Sequence, residues 1–219
     1  MNQAVPDAAG FVLAGGRSSR MGRDKALVEF GGRPLIAWSL GILEAAKLSA
    51  EIAGARSDLG AFARVVADEE QDKGPLSGIC AAMTSTEAEL AVFVSVDLPL
   101  LPASLISCLL SRSRITGSLV ALCSVNGYPQ PFPAVIRREA AGLLAEELHA
   151  GRLGCFAAFG RACSRADREP PVVPAEVLAQ CGQVVHPWAL PPALWFLNVN
   201  TSADLDRASG AFSAAHRVS

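Results

Sequence analysis

Short apolar runs typical of strands alternate along this chain with segments of helical periodicity, and this alternation restricts the fold more than any other feature. Parallel strands need a crossover connection between them, and a helix supplies it. The order therefore predicts an α/β fold, a single-domain, Rossmann-like three-layer sandwich with a mostly parallel sheet. The predicted strands span residues 9–13, 51–55, 64–67, 90–96, 118–123, 132–136 and 194–198. The predicted helices span 35–48, 76–85, 103–110, 138–150 and a last stretch that begins with the capping-box pattern at 201–204 and ends near 216.

The composition is that of one soluble globular domain. Of the 219 residues, 51% are hydrophobic, which is enough to bury a large core. We expect a single domain over 1–219, flexible ends at 1–8 and 214–219, and a surface loop at 164–174. The formal net charge of -2 argues against a nucleic-acid partner. No apolar run reaches the roughly 18 residues of a membrane helix, and the first residues lack a leader pattern, so we predict a cytoplasmic protein without a membrane partner.

A glycine-rich loop with several cations follows the first predicted strand. Its glycines and cations are Gly15, Gly16, Arg17, Arg20, Gly22, Arg23 and Lys25. Glycine lets backbone N–H groups approach an anion, and charge-assisted hydrogen bonds to phosphate are stronger than neutral ones. The loop therefore predicts a polyphosphate site, although a solvated surface turn could have the same composition. Its spacing matches neither a P-loop nor a dinucleotide-binding fingerprint.

Polar residues at the ends of predicted strands are the next candidates, because ligands of parallel α/β sheets bind beyond the carboxyl ends of the strands. Asp97 ends one apolar run and could hold Mg²⁺ against phosphate oxygens, or cap a turn. Asp68 ends another and could accept hydrogen bonds from guanine N1–H and N2–H groups, or cap an acidic loop. Asn198 and Asn200 would lie on the same side of an extended chain and offer two amides to a ligand or metal shell, or cap a helix.

The cysteines and histidines do not indicate a metal or hydrolase site. The six cysteines lack metal-ligand spacing, so we expect reduced thiols that act as small buried hydrophobic residues. The three histidines are scattered and form no Ser-His-Asp pattern.

Four segments together resemble those of molybdenum cofactor guanylyltransferases, enzymes of the molybdopterin-guanine dinucleotide biosynthesis protein A type. They are residues 13–27, 74–78, 96–99 and 198–201. The resemblance implies the nucleotide-diphospho-sugar transferase fold. It also implies transfer of GMP from GTP to the phosphate of molybdopterin or the molybdenum cofactor, with release of pyrophosphate and with Mg²⁺ as the cofactor. Molybdoenzymes or their chaperones are then expected as further partners.

The same resemblance assigns roles to residues of this chain. The nucleotide would contact Leu13, Ala14, Gly15, Gly16, Lys25, Asp68 and Asp97. The catalytic residues would be Lys25 and Arg17, which stabilise the triphosphate, and Asp97, which binds the metal. The acceptor would contact Arg20, Asn198 and Asn200.

Two departures of the chain from the family pattern bear on the choice of nucleotide and acceptor. Residues 52–56 read Ile-Ala-Gly-Ala-Arg, without the asparagine that guanylyl enzymes tend to carry there, and 128–133 are unusually rich in proline. Two alternatives therefore stay open. One is a related cytidylyl- or other nucleotidyltransferase with a different phosphorylated acceptor, and the other is a noncatalytic nucleotide-binding partner of molybdoenzymes.

Overall fold

A mixed seven-stranded sheet lies at the centre of the protein. The computed structural model describes residues 7–15, 24–68 and 73–216. Within them the strands are β1 (Ala8–Leu13), β2 (Glu29–Phe30), β3 (Arg33–Pro34), β4 (Ala50–Ala53), β5 (Val65–Val66), β6 (Leu90–Ser95), β7 (Val120–Val125), β8 (Tyr128–Arg137) and β9 (Val172–Pro174). Strands β2 and β3 form a separate hairpin, and the other seven strands form the sheet in the order β5-β4-β1-β6-β8-β7-β9.

The pairing directions confirm the predicted, mostly parallel sheet. Strand β1 is parallel to both β4 and β6, β4 is parallel to β5, and β7 is parallel to β9. Strand β8 alone runs the other way, between β6 and β7. The helices of the described residues are α1 (Leu35–Ala45), α2 (Gly74–Ser85), α3 (Ala103–Thr116), α4 (Ala141–His149), α5 (Cys155–Arg165), α6 (Ala175–Gln180), α7 (Pro192–Trp195) and α8 (Ser202–His216).

Two hydrophobic clusters cover the two faces of the sheet and complete three layers. Helices α1, α3 and α6 pack on one face, and α2, α4 and α5 pack on the other. Strand β1 serves both faces, because Val12 points into the first cluster while Phe11 and Leu13 point into the second. Phe11 also stacks on Phe93 of β6, with ring centroids 5.4 Å apart. A strand buried on both faces reads as a continuous apolar run, which is why β1 and β6 were predictable.

The predicted strand at 194–198 is wrong. Prolines begin a helical turn there, α7, and Trp195 is buried with its indole N–H donating to the Leu190 carbonyl at 2.7 Å. The chain then passes the end of β6 as an irregular segment, joined to it by the Val199 N–H, which donates to the Asp97 carbonyl at 2.9 Å. The capping box at 201–204 is confirmed, since the Asp204 N–H donates to the Thr201 hydroxyl at 3.2 Å and the Thr201 N–H to the Asp204 carboxylate at 2.8 Å.

The predicted surface loop at 164–174 is only partly correct. Helix α5, which the sequence pattern did not reveal, ends at Arg165, and the last three residues of the loop form β9. Strand β9 exists because the outer edge of β7 is free to pair, as in the hydrogen bond from the Leu122 N–H to the Pro171 carbonyl at 3.1 Å. Such a short edge strand depends on its neighbour and leaves little local signal.

The ends of the chain and the cysteines complete the description. Ala8 pairs with Leu90 in the sheet, and α8 continues to His216, so regular structure extends into both of the ends predicted to be flexible. Among the described residues, no helix combines the length and apolar character needed to cross a membrane. All six cysteines are free, and burial raises the pKa of Cys123 and Cys155 to about 12. Cys181 is exposed, unlike the buried thiols expected.

A buried carboxylate joins α4 to the following segment. Glu147 is 2% exposed and accepts two hydrogen bonds from Arg152, at 2.8 and 2.7 Å, and a third from Arg161. The hydrogen bonds from Arg152, followed by those from Arg161, lower the pKa of Glu147 to about 2. The charged carboxylate is therefore favoured by the folded state.

We predict that Glu147→Gln lowers the free energy of unfolding at pH 7 and lowers it less at pH 3. The folded pKa lies below the ordinary value of 4.5, so the stabilisation is present above that value and is lost as the pH falls towards 2. Denaturant unfolding at pH 7 and at pH 3 measures the difference between wild type and variant. The matched control is Glu146→Gln, since Glu146 forms an exposed pair with Arg165. A difference that persists undiminished at low pH would contradict the assignment.

Candidate functional site

The candidate site is a pocket at the edge of the sheet where the parallel strands β1, β4, β5 and β6 end. This is the edge at which ligands bind in α/β sheets of this kind. Helix α2 begins there, and Phe132 of β8 forms part of the wall. The pocket is lined by Leu13, Ala14, Gly15, Lys25, Ala26, Ala53, Gly54, Arg56, Asp68, Gly74, Pro75, Gly78, Ser95, Val96, Asp97 and Phe132.

Two backbone segments approach each other closely at the base of this pocket. The Ala14 N–H donates to the carbonyl of Ala53, the last residue of β4, at 3.2 Å, which continues the β1–β4 pairing one residue beyond β1. Gly54 follows with a φ of 138°. A Cβ atom on Gly54 would lie 3.3 Å from the Gly15 nitrogen, so a side chain there would press on the start of the loop. Only glycine satisfies both the backbone angle and the close approach.

The ammonium group of Lys25 contacts two other residues of the predicted site. Lys25 begins a single 3₁₀ turn, Lys25–Leu27, which Asp24 caps by accepting a hydrogen bond from the Ala26 N–H at 3.0 Å. Its ammonium group lies 2.7 Å from Oδ2 of Asp97, and it also donates to Oδ1 of Asn200. The side chains of Lys25 and Asp97 are 16% and 14% exposed, so the ion pair is half-buried. Asp97 and Asn200, which lie 72 and 175 positions from Lys25 in the sequence, thus contact the same ammonium group.

Asn198 completes this group beside Asp97. When its amide is oriented with the nitrogen towards Asp97, it donates to both carboxylate oxygens at 3.3 Å. In the opposite orientation it would present a carbonyl oxygen next to the carboxylate, a set of oxygen ligands that suits a hard cation. Asp97 is the only carboxylate of this group, and the described residues hold no cluster of three or more His, Cys, Asp or Glu that could bind a metal. Substrate phosphate oxygens would supply further ligands to a metal held by Asp97.

Asp68 lies on the other side of the same pocket, beyond the end of β5. Its Oδ1 atom is buried and has no hydrogen-bond partner in the part of the chain that the structure describes. A buried acceptor without a donor is unfavourable by about 1–3 kcal/mol, so it favours a ligand that brings an N–H group. Helix α2 begins close by at Gly74, whose φ of 70° suits glycine, and Gly74, Pro75 and Gly78 of this helix line the pocket.

Arg56 is a pocket residue that the sequence interpretation missed. We expected residues 52–56 to lack a polar contact, yet the Arg56 guanidinium lines the pocket and is bound by two carboxylates. Its hydrogen bonds to Asp58 raise the pKa of Arg56, with a smaller contribution from Asp24 and opposed by burial. The available signal was its position just after a parallel strand, which is the same argument that identified Asp97.

The structure thus brings most of the predicted residues to one place. Leu13, Ala14, Gly15, Lys25, Asp68 and Asp97 line the pocket, and Asn198 and Asn200 contact its charged residues. Gly16, Arg17 and Arg20 lie outside the described residues. The pocket offers a cation for an anion, a carboxylate for a metal, and an unpartnered acceptor for a base. Binding of a nucleoside triphosphate with a divalent cation uses all three.

Comparisons with known proteins show the family of this chain. The family model of the MobA-like NTP transferase domain matches residues 10–167. A probable molybdenum cofactor guanylyltransferase of Thermococcus gammatolerans is 32% identical over 210 residues, which cover 90% of this chain and 97% of the relative. A molybdenum cofactor guanylyltransferase of Pseudomonas putida is 32% identical over 179 residues, 77% of this chain and 93% of the relative.

A solved structure supports the fold separately. The molybdopterin-guanine dinucleotide biosynthesis protein A of Archaeoglobus fulgidus is similar with a TM-score of 0.74 and 22% identity, over 94% of this chain and 99% of that one. Asn198 and Asn200 lie after the segment that the family model matches, and the tertiary structure brings Asn200 into contact with Lys25.

We predict that Gly54→Ala damages the pocket, whereas Gly160→Ala stabilises the protein. The first change forces a Cβ against the loop at a positive φ and should cost about 1–3 kcal/mol. The second lies in α5, where a Cβ meets no atom within 4 Å, and alanine is favoured in helices by about 1 kcal/mol. Thermal unfolding measures both effects. Equal stability of the two variants would contradict the close approach at Gly54.

Proposed function

The chain belongs to the family of MobA-like NTP transferases, and we propose that it transfers GMP from GTP to the phosphate of molybdopterin or the molybdenum cofactor, releasing pyrophosphate. The observation that carries this proposal is the meeting of Lys25, Asp97 and Asn200 opposite the unpartnered Asp68 in one pocket. A cation and a carboxylate at one end suit the triphosphate, and a free acceptor at the other suits the base. The names of relatives that align along most of the chain support the same reaction.

Guanine is the base that this pocket favours. The Asp68 carboxylate only accepts hydrogen bonds, and Oδ1 has no donor among the described residues. Guanine offers adjacent N1–H and N2–H donors, whereas adenine has an acceptor at N1. The carboxylate therefore discriminates between the two purines even though the expected asparagine is absent from residues 52–56.

Charge neutralisation is the main chemical task of the site. The acceptor phosphate and the triphosphate are both anions, so attack at the α-phosphorus requires their repulsion to be reduced and the reacting groups to be held in line. We assign Lys25 and Arg17 to the triphosphate, and Arg20, Asn198 and Asn200 to the acceptor. A phosphate monoester is already largely ionised near neutral pH, so the acceptor needs no general base.

Enzymes of this family generally use a divalent metal, and we propose Mg²⁺ held by Asp97. One carboxylate with substrate phosphate oxygens is a usual Mg²⁺ environment, and the Asn198 amide oxygen fits the same cation in the orientation that presents it beside Asp97. When bound, Mg²⁺ supplies positive charge at the phosphates. The Oδ2 atom of Asp97 accepts a hydrogen bond from the Lys25 ammonium group. The residue proposed to bind the metal and the residue proposed to bind the phosphates therefore lie side by side.

The proposal extends to the setting of the reaction. We propose that the chain acts in the cytoplasm as one nucleotidyltransferase domain over residues 1–219. Its six free cysteines suit a reducing compartment. Molybdoenzymes, as the users of the dinucleotide cofactor, are the protein partners that we propose.

We predict that GTP with Mg²⁺ stabilises the protein more than CTP, ATP or UTP does. A ligand that binds only the folded state adds about 2.7 kcal/mol when its concentration is 100 times Kd. A thermal-shift panel of the four nucleotides, each with and without Mg²⁺, measures this. A preference for CTP or ATP would assign the chain to another branch of nucleotidyltransferases. No response to any nucleotide would contradict the polyphosphate site itself.

We predict that Asp97→Asn lowers the turnover number by about 10²- to 10³-fold, the scale found when a group that stabilises developing charge is removed. The variant keeps the shape of the side chain but removes the negative charge with which Lys25 is paired, so we expect a lower melting temperature and compare turnover well below it. Guanylyl transfer from radiolabelled GTP, measured as a function of Mg²⁺ concentration, tests this. The control is Asp167→Asn, at an exposed position after α5. Unchanged turnover in Asp97→Asn would remove its proposed role.

A further inference from the structure

Arg56 connects the two flanks of the glycine-rich loop. One guanidinium nitrogen, Nη1, donates to the Ala14 carbonyl at 3.3 Å, on the side where the chain enters the loop. The other, Nη2, donates to the Asp24 carboxylate, on the side where the chain leaves it. Ala14 and Asp24 are ten residues apart, and a single side chain binds both.

The contact with Asp24 leads directly to Lys25. Asp24 uses its second oxygen to cap the 3₁₀ turn through the Ala26 N–H at 3.0 Å. Lys25 is the first residue of that turn, and its ammonium group binds Asp97 and Asn200. Any displacement of Asp24 would therefore move the cation that the proposed function places on the triphosphate.

Asp58 holds Arg56 in this arrangement. Its two oxygens accept hydrogen bonds from Nε at 2.9 Å and from Nη2 at 2.7 Å, a bidentate pair that fixes the plane of the guanidinium. The Arg56 side chain is only 12% exposed, whereas Asp58 is 54% exposed. Two carboxylates balance the single positive charge of Arg56, so the geometry favours a structural connection over the binding of a free anion.

We infer that Arg56 is a positioning residue, which sets the place of Lys25 through Asp24 and is itself fixed by Asp58. The expected effect on turnover rests on the proposed function, whereas the structural role of Arg56 rests on its contacts alone. Only an arginine can bind the Ala14 carbonyl and two carboxylates at once, because its donors form a rigid planar fork. Lysine at this position would not replace it.

The kinetic test compares Arg56→Met with Arg64→Met. Arg64 is a nearby exposed arginine that pairs with Glu51 at 3.1 Å and lines no part of the pocket. Misplacement of a reacting group by 1 Å can cost about 10²-fold, so we expect Arg56→Met to lower kcat by about 10- to 100-fold while the KM for GTP changes by less than about threefold. Arg56→Lys should behave like Arg56→Met, and Arg64→Met like the wild type.

A second measurement does not depend on turnover. Lys25 is 16% exposed and paired with Asp97, whereas Lys47 is exposed, so the labelling rate of Lys25 by acetic anhydride relative to Lys47 reports on the position of Lys25. We expect this ratio to rise at least about threefold in Arg56→Met and to rise in the same direction in Asp58→Asn, which keeps the arginine and serves if Arg56→Met does not fold.

A double substitution tests whether the effect of Arg56 on turnover passes through Asp24. If Arg56 acts through Asp24, the variant Asp24→Asn/Arg56→Met should lose no more kcat than Arg56→Met does. A raised KM for GTP with unchanged kcat and unchanged Lys25 labelling would show that Arg56 binds the nucleotide directly, and would overturn the inference. A wild type without guanylyl transfer from GTP would contradict the proposed function alone, because the labelling comparison would still decide the role of Arg56.

Discussion

The pairing of β1 with β4 on one side and β6 on the other is the constraint on which the rest of the structure depends. Parallel pairing brings the carboxyl ends of three strands to one edge of the sheet. The glycine-rich loop, Gly54 and Asp97 come just after these strands in the chain, so they lie at that edge. Strand β1 is buried on both faces, so a shift of its register by one residue would move its apolar side chains to the opposite faces of the sheet. The same burial that stabilises the core thereby fixes the position of the site.

The charges at this edge are arranged in pairs. Lys25 is bound by Asp97, and Arg56 is bound by Asp24 and Asp58. Half-buried charges are stable only when they are paired and hydrogen-bonded, so each cation is held at a defined place before any anion arrives. Preorganisation of this kind is what phosphoryl and nucleotidyl transfer require, since their catalysis consists mainly of positioning and electrostatic stabilisation.

The segment after α6 supports the pocket from outside the part of the chain that the family model matches. His186 is buried, and its ring joins the Leu100 carbonyl at 2.9 Å to the Trp188 N–H at 3.1 Å, while burial lowers the pKa of His186. The neutral ring can therefore donate through one nitrogen and accept through the other. It stacks beside Trp195, which ends α7 just before the segment that carries Asn198 and Asn200. The irregular segment that follows this aromatic packing carries the Asn198 amide beside Asp97 and the Asn200 amide beside Lys25.

The sequence by itself determined the α/β class, the main buried strands and the candidates Lys25, Asp68 and Asp97, because apolar periodicity and strand ends are local properties. It did not reveal α5, β9 or the helical turn within residues 194–198. A short edge strand such as β9 forms only where a neighbouring strand has a free edge. The turn of α7 is stabilised by the burial of Trp195, which is a tertiary contact. The tertiary structure alone decided that Arg56 connects Ala14 to Asp24 and that Asn200 reaches Lys25. Those contacts join residues far apart in the chain, and only the pairing of the strands brings them within hydrogen-bond distance.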